Sequence, residues 1–394
     1  MIHIHQKQDC CGCTACVQRC PQQCISLYED AEGFLYPKVD VSDCIDCGLC
    51  ERVCPMLNQS DDRLPLEVYA TRNPDDHIRR ESSSGGIFTL LAEQTIDAGG
   101  VVFGVCWDDH FEAMHAYTET KEGLSSFRGS KYVQSRVGDT FKQAELFLQQ
   151  GRQVLYSGTP CQIAGLKRYL MRPYANLLTV DIVCYGIPSP GVWRRYLHDF
   201  RSSILAGQSP VLTGVNFRDK RHGWKSYSFC LRYLPVDGEE KEYLQPFTAT
   251  PYMQGFIEGL YLRPSCFRCP SKSGKSNSDI TIADAWGIDQ FAPEYDDDKG
   301  TCCVFGHTPA GLHRLQRLQL PHYPVSVEQV RRYNSSFFTS AHPHPKRHTF
   351  FTLYSASTTT VEQLIHKILA PTLFEQLYRR VRHLFSPLKK LLRK

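Results

Sequence analysis

The chain of 394 residues lacks several features that would place it in a common protein class. It has no stretch near the roughly 18 consecutive apolar residues that a membrane-spanning helix requires. It contains no GxGxxG, so nothing supports a Rossmann dinucleotide site. A signal peptide has a basic segment followed by an apolar segment, and the first residues of this chain show no such pattern. We therefore expect a cytoplasmic protein, in a reducing compartment where cysteines serve metals and not disulfides.

Charge is also nearly balanced, with a formal net charge of +4 and 42% apolar residues, which is typical of a folded protein. From Lys367 onward, however, eight Lys or Arg residues accompany a single acidic residue, Glu375. The rest of the chain is therefore slightly negative, which argues against a nucleic-acid binder. At this length we expect two or three structural units.

Cysteine is abundant, with 18 in total and ten within the first 54 residues. Eight of those ten form two copies of Cys-x2-Cys-x2-Cys-x3-Cys-Pro, the spacing of bacterial ferredoxins, in which three cysteines bind one 4Fe–4S cluster and the fourth binds the other. The first predicted cluster is held by Cys10, Cys13, Cys16 and Cys54. The second is held by Cys20, Cys44, Cys47 and Cys50. A pair of zinc sites is the alternative, although zinc sites rarely close with Cys-Pro.

The pattern along the chain predicts an α+β ferredoxin domain followed by an α/β domain and a basic amphipathic C-terminal helix. We place the ferredoxin domain at 1–57, a polar linker at 58–65, the α/β domain at 66–345 and the helical tail at 346–394. Within 66–345, apolar strands alternate with glycine turns and amphipathic helices, as in α/β folds.

Four more cysteines lie in contexts that suggest a further site. Cys161 begins a predicted helix, where the helix dipole favours a thiolate. Cys184 ends an apolar strand, while Cys266 and Cys269 form a CxxC. From spacing alone these residues either share one more cluster or pack as small apolar side chains.

Six motifs in order carry a resemblance to a known family. They are Ser84-Gly85-Gly86, Arg128-Gly129-Ser130-Lys131-Tyr132, Gly158-Thr159-Pro160-Cys161-Gln162, the strand ending at Cys184, Cys266-x2-Cys269, and the run from Asp279 to Gly287. Over about residues 1–310 the chain resembles the family of coenzyme F-420 hydrogenase/dehydrogenase beta subunits, with a two-cluster ferredoxin in front. The resemblance implies FAD and a third 4Fe–4S cluster on Cys161, Cys184, Cys266 and Cys269. It also implies electron transfer between that cluster and a deazaflavin, or another substrate, at the flavin.

The same motifs provide candidate flavin contacts, with Lys131 and Asp284 as candidate catalytic residues. A glycine turn that opens a helix lets backbone N–H groups approach a pyrophosphate. The candidate cofactor-binding residues are Ser84, Gly85, Gly86, Arg128, Ser130, Lys131, Gly158, Thr159, Asp284 and Trp286. The alternatives are an ordinary helix cap for the serine–glycine turn, a solvated basic loop around Lys131, and simple packing for Asp284 and Trp286.

The C-terminal residues predict a helix with one apolar stripe among basic residues. Residues 371–394 either contact an anionic membrane surface, at the inner face of the membrane, or dock on the protein itself or on a partner protein.

Together these features predict an iron–sulfur flavoprotein oxidoreductase that passes electrons between 4Fe–4S clusters and FAD. A deazaflavin of the F-420 type, or a related small molecule, would react at the flavin, and a ferredoxin-like carrier or redox partner protein would exchange electrons with the clusters. One alternative is an electron-transfer subunit with no substrate of its own. Another is a flavoenzyme that reduces a sugar or pigment-like acceptor.

Overall fold

The computed structural model describes residues 1–204, 211–235 and 238–371, beginning with a small cysteine-rich unit. Its elements are α1 (Ala15–Arg19), β1 (Ile25–Glu29), β2 (Leu35–Val39) and α2 (Leu49–Arg52). The two strands pair antiparallel, and the turn between them contains Gly33 at φ +82°, a left-handed conformation that glycine adopts without strain. The cysteine loops lie on either side of this hairpin.

The rest of the described chain alternates strands and helices. The strands are β3 (Glu67–Thr71), β4 (Val101–Trp107), β5 (Ala113–Thr118), β6 (Val154–Gly158), β7 (Leu177–Ile182), β8 (Val211–Asp219), β9 (Ser228–Leu234), β10 (Lys241–Pro246), β11 (Ile280–Asp284), β12 (Cys302–Gly306) and β13 (His322–Pro324). The helices are α3 (Asp76–Glu81), α4 (Ile87–Asp97), α5 (Thr140–Gln149), α6 (Pro160–Leu170), α7 (Pro190–Ile204), α8 (Pro251–Ile257), α9 (Ile288–Phe291), α10 (Pro309–Gln316), α11 (Val327–Tyr333), α12 (Arg347–Ala356) and α13 (Val361–Leu369).

Eight strands form one mixed sheet in the order β13-β3-β12-β11-β7-β6-β4-β5. Its centre is parallel, since β11 pairs with β7, β7 with β6 and β6 with β4 in the same direction. These strands are apolar and largely buried, as a parallel sheet covered on both faces requires. The predicted α/β architecture is therefore confirmed as a large mixed sheet behind a ferredoxin domain.

A second layer is inserted between β7 and β11. It contains the antiparallel sheet β10-β9-β8 and the helices α7 and α8, around a core rich in aromatic side chains. Helices α12 and α13, within the predicted tail, pack on this core through Phe350, Phe351 and Ile365. The predicted boundary at residue 346 stays a prediction, and residues 372–394 of the tail lie outside the described residues. In the ranges described, no helix is long and apolar enough to cross a membrane.

The cysteine-rich unit is docked closely on the α/β domain. The Gln18 side-chain oxygen accepts a hydrogen bond of 3.0 Å from the Phe141 amide at the start of α5. Arg19 pairs with Glu145 of α5 at 3.0 Å, and Arg347 of α12 pairs with Glu32 at 2.6 Å. These contacts hold the cysteine loops against α6, where Cys161 begins the helix.

Candidate cluster and cofactor site

The first 54 residues form two cysteine-lined cavities. One is lined by Cys10, Cys13, Cys16 and Cys54 together with apolar side chains from the hairpin. The other is lined by Cys20, Cys44, Cys47 and Cys50. The structure thus groups the cysteines in the two crossed sets that the ferredoxin spacing predicts, with the fourth cysteine of each run in the opposite cavity. Cys11 and Cys24 lie beside these sets as additional lining residues.

A third cavity brings together four cysteines that are far apart in the sequence. It is lined by Cys161 at the start of α6, Cys184 after β7, and Cys266 and Cys269 from the loop that follows α8. Burial raises the pKa of the Cys266 thiol to about 12, and burial also raises the pKa of the Cys184 thiol well above its ordinary value. As free thiols they would stay protonated at neutral pH, so a metal must displace their protons for them to act as ligands.

Within the described ranges, no three His, Cys, Asp or Glu side chains converge closely enough to bind one metal ion. A tetrahedral zinc site, with bonds of about 2.3 Å, needs its sulfur atoms in such close convergence. Each of the three cavities contains one predicted set of four cysteines, and the first two have Cys11 and Cys24 as further lining residues. A cubane takes four such ligands because its four irons occupy the space between the sulfurs. The donor sets are all-thiolate, which is the ligand type that 4Fe–4S clusters take.

The first and third cavities are neighbours. The Cys11 thiol, which is buried, interacts with the thiols of both Cys13 and Cys161. Helix α6 approaches so closely that a Cβ atom on Gly165 would lie 2.7 Å from the Cys13 Cβ. Only a glycine at this position lets the helix that carries Cys161 lie directly on the ferredoxin loop.

The candidate flavin residues gather at the carboxyl edge of the large sheet. Strands β4, β6, β7 and β11 all end there, at Trp107, Gly158, Ile182 and Asp284. This edge is where open α/β sheets bind ligands. The Ser83 hydroxyl lies 2.8 Å from the Ser130 hydroxyl, which joins the serine–glycine turn to the basic loop.

Several of these residues already have protein partners. Lys131 donates to the carbonyl oxygens of Ser126, Arg128 and Gly129 at 3.0, 2.8 and 3.2 Å. Ser84 donates to the Thr301 carbonyl at 2.8 Å, and a Cβ atom on Gly85 would lie 2.6 Å from the Cys302 amide. The turn is therefore fixed by packing on β12, whether or not it also contacts a cofactor.

A buried arginine from the inserted sheet completes this edge. Arg218, at the end of β8, donates to Asp284 at 2.6 Å, and the Trp224 indole donates to the other Asp284 oxygen at 2.9 Å. Trp286 stacks on Trp224 with ring centroids 4.8 Å apart. The Nε and one Nη atom of Arg218 are buried without hydrogen-bond partners, as is Nε of Arg128. Buried N–H groups without partners are costly unless a ligand accepts from them.

Sequence reasoning missed four cations that lie near the cysteine cavities or at the carboxyl edge of the large sheet. They are Arg218, Lys220, Arg263 and Lys272. Lys220 donates to the Ser84 carbonyl at 2.9 Å, and Lys272 donates to the Cys184 carbonyl at 2.5 Å. The only signal in the sequence was the basic run from Arg218 to Arg221 and the basic residues flanking the CxxC.

Three family models match the chain. Residues 9–57 match a 4Fe-4S dicluster domain. Residues 68–142 match the N-terminal part, and residues 151–322 the C-terminal part, of the coenzyme F420 hydrogenase/dehydrogenase beta subunit. The two models of the beta subunit together cover more than half of the chain.

Curated relatives are similar over parts of their length. The coenzyme F420-dependent sulfite reductase of Methanocaldococcus jannaschii is 27% identical over 177 residues, which are 42% of this chain and 26% of that protein. A subunit of the F(420)H(2) dehydrogenase of Methanosarcina mazei is 21% identical over 232 residues, 56% of this chain and 62% of the relative. The chain thus spans less than two thirds of either protein.

Two further comparisons concern the ferredoxin part and the fold. A ferredoxin of Mycolicibacterium smegmatis is 50% identical over 74 residues, which are 18% of this chain and 65% of that protein. Among solved structures, a chain of the F420-reducing [NiFe] hydrogenase complex from Methanosarcina barkeri aligns with a TM-score of 0.46 and 15% identity. That alignment covers 75% of this chain and 94% of the other.

Proposed function

The chain belongs to the family of coenzyme F420 hydrogenase/dehydrogenase beta subunits, with a 4Fe-4S dicluster domain in front, and from this premise we propose that it is an iron–sulfur flavoprotein oxidoreductase. It exchanges electrons between 4Fe–4S clusters and FAD, and a deazaflavin of the F420 type or a related small molecule reacts at the flavin. The observation that carries the proposal is the grouping of twelve cysteines around three cavities, the third of which opens at the carboxyl edge of the sheet.

The cluster ligands in this proposal follow the three cavities. Cys10, Cys13, Cys16 and Cys54 hold one cluster, which we call cluster I. Cys20, Cys44, Cys47 and Cys50 hold cluster II, and Cys161, Cys184, Cys266 and Cys269 hold cluster III. Each cluster supplies one-electron redox chemistry, at a potential set by its surroundings.

The proposed flavin site combines residues named from the sequence with the buried arginine of β8. Ser84, Gly85, Gly86, Arg128, Ser130, Lys131, Gly158, Thr159, Asp284 and Trp286 remain the predicted contacts, and Arg218 joins them. FAD supplies two-electron chemistry with single-electron release. Arg218 supports this assignment because its two unpartnered N–H groups suit the phosphate or ring oxygens of an anionic ligand, while Asp284 fixes its orientation.

Exchange with an outside electron carrier is proposed at cluster II. Cys47 is the exposed cysteine of its set, and the neighbouring Val41 and Ile45 are 65% and 61% exposed. Asp40, Asp43 and Asp46 alternate with them along the same exposed loop, and Asp46 pairs with the N-terminal ammonium group at 3.2 Å. An apolar patch with an acidic rim suits a protein carrier or a partner protein with a basic docking face.

The flavin assignment is tested with Arg218→Leu, which removes the two free N–H donors. We expect the FAD dissociation constant of the anaerobically purified chain to rise at least tenfold, equivalent to about 1.4 kcal/mol. Flavin fluorescence after release from the protein measures the bound fraction, and absorbance of an added deazaflavin follows its reduction or oxidation.

Arg221→Leu is the matched control, because Arg221 lies three residues along and is fully paired with Asp219 and Glu242. Its FAD affinity should equal that of the wild type. Equal effects of the two variants would contradict the role given to Arg218. A wild-type chain that binds iron but no FAD would instead indicate an electron-transfer subunit without a substrate of its own.

A further inference from the structure

One buried guanidinium lies between the cavities of clusters I and III. Arg263 is 1% exposed and precedes Cys266 by three residues on the loop of cluster III. Its Nε donates to the Cys10 carbonyl at 2.8 Å, and Nη2 donates to the Leu35 carbonyl at 2.9 Å. Nη2 also lies 3.5 Å from the Cys10 sulfur. The side chain therefore reaches from the loop of one cluster to the ligands of the other.

No carboxylate balances this charge in the part of the chain that the structure describes. Its remaining neighbours are the Gln134 amide oxygen, at 2.8 Å, and the rings of Phe34 and Tyr36, which lie 5.3 and 4.4 Å from the guanidinium carbon. The ionisable groups that interact with it include Tyr36 and the thiols of Cys10, Cys11, Cys161 and Cys266. Burying a cation without an anion costs free energy even where carbonyl oxygens accept its hydrogen bonds, and an anion placed beside it lowers that cost.

Other arginines at the same domain interface have such a partner. Arg347 holds both oxygens of Glu32 at 3.1 and 2.6 Å, and Arg19 pairs with Glu145. Arg263 differs from them because the groups around it are thiols that become anionic only as cluster ligands. Its charge is thus aimed at the two cluster sites and not at a local ion pair.

We propose that Arg263 is a positioning residue that shares one positive charge between clusters I and III and raises the midpoint potential of both. The inference rests on the cluster assignment of the proposed function. Reduction adds an electron to an already anionic cluster, so a nearby cation favours the reduced state. Cluster II, whose cysteines do not contact Arg263, should be independent of it.

The test is Arg263→Gln in the full chain, purified anaerobically, with the potentials measured by an EPR-monitored redox titration. We expect two of the three midpoint potentials to fall. For each of these two clusters the reduction equilibrium constant should decrease at least tenfold, which corresponds to about 59 mV for a one-electron couple. For the third cluster, the reduction equilibrium constant should change by less than threefold. Unchanged potentials in a fully loaded variant would overturn the proposal.

Arg347→Gln is the matched control, since it removes a guanidinium from the same interface that has its own carboxylate. For all three clusters of this variant, the reduction equilibrium constant should stay within threefold of the wild-type value. A fall in both variants by the same amount would mean that loosened docking, and not charge, moves the potentials, and would overturn the proposal.

If Arg263→Gln binds less iron than the wild type, Arg263→Lys distinguishes the effect of the positive charge from a role of Arg263 in local folding. We expect the Lys variant to bind as much iron as the wild type. Its reduction equilibrium constants should stay within tenfold of the wild-type values, because the positive charge remains. Loss of iron in the Lys variant, or an equal fall in its potentials, would assign Arg263 to local folding instead. A wild type with only two clusters would refute cluster III, and with it the sharing of the Arg263 charge between two clusters.

Discussion

At the scale of single residues, several lysines around the carboxyl edge of the large sheet donate hydrogen bonds to backbone carbonyl oxygens. Lys131 and Lys220 each have three carbonyl acceptors, and Lys272 has two. Burial lowers the pKa of Lys131 to about 7 and that of Lys220 to about 8. A folded chain tolerates such a concentration of positive charge more easily when an anionic cofactor binds beside it, which agrees with the proposed flavin site.

Lys131→Met tests the shifted pKa of this lysine. Between pH 7 and its ordinary pKa of 10.5, the unfolded chain binds a proton that the folded chain does not, so this lysine makes the wild type more stable as pH rises. Below pH 7 both states are protonated and the full penalty remains. We therefore expect the unfolding free energy of the wild type, minus that of the variant, to rise by up to about 1.4 kcal/mol per pH unit.

Denaturant unfolding at pH 7, 8, 9 and 10 measures this difference. Lys121→Met is the control, because Lys121 lies at the surface and pairs with Asp97. Parallel pH profiles for the wild type and Lys131→Met would show that Lys131 has an ordinary pKa.

At the scale of elements, helix α6 connects the two halves of the molecule. Its first turn carries Cys161 of the cluster III set, and Gly165 one turn later faces Cys13 of the cluster I set. The chain reaches this arrangement because β6 ends at a Gly-Thr-Pro turn, where Thr159 caps the helix and Pro160 occupies its first position. The spacing between the proposed clusters I and III would thus be set by one short helix packed without a side chain in between.

Gly165→Ala tests this close packing. Alanine normally stabilises a helix interior by about 0.5–1 kcal/mol relative to glycine. Here its Cβ would lie 2.7 and 2.9 Å from the Cβ and Sγ of Cys13, so we expect a net loss of about 1–3 kcal/mol and fewer iron atoms per chain. Gly214→Ala, whose Cβ would meet nothing closer than 3.5 Å, should keep its iron. A Gly165→Ala variant as stable and as iron-rich as the wild type would contradict the packing.

At the scale of the whole molecule, the sequence predicts local patterns well and distant juxtapositions poorly. The two ferredoxin cavities follow from spacing within two short runs, and the parallel strands follow from their apolar stretches. The sequence does not predict Arg218 at the site, because this residue comes from a sheet inserted between β7 and β11. It does not predict a role for Arg263 either, because only the folded structure shows that no carboxylate in the described ranges pairs with this side chain. The roles of Lys131 and Asp284 in catalysis stay predictions.

The central claim is that one chain holds three clusters, and iron content tests it most directly. The measurement is iron and acid-labile sulfide per chain after anaerobic purification, in the wild type, in Cys266→Ala and in Cys230→Ala. Cys230 is buried in β9 and lines none of the three cavities, so it is the control. We expect about twelve iron atoms in the wild type and the control, and about eight in Cys266→Ala, because the ferredoxin pair remains. About eight iron atoms in all three proteins would contradict the third cluster.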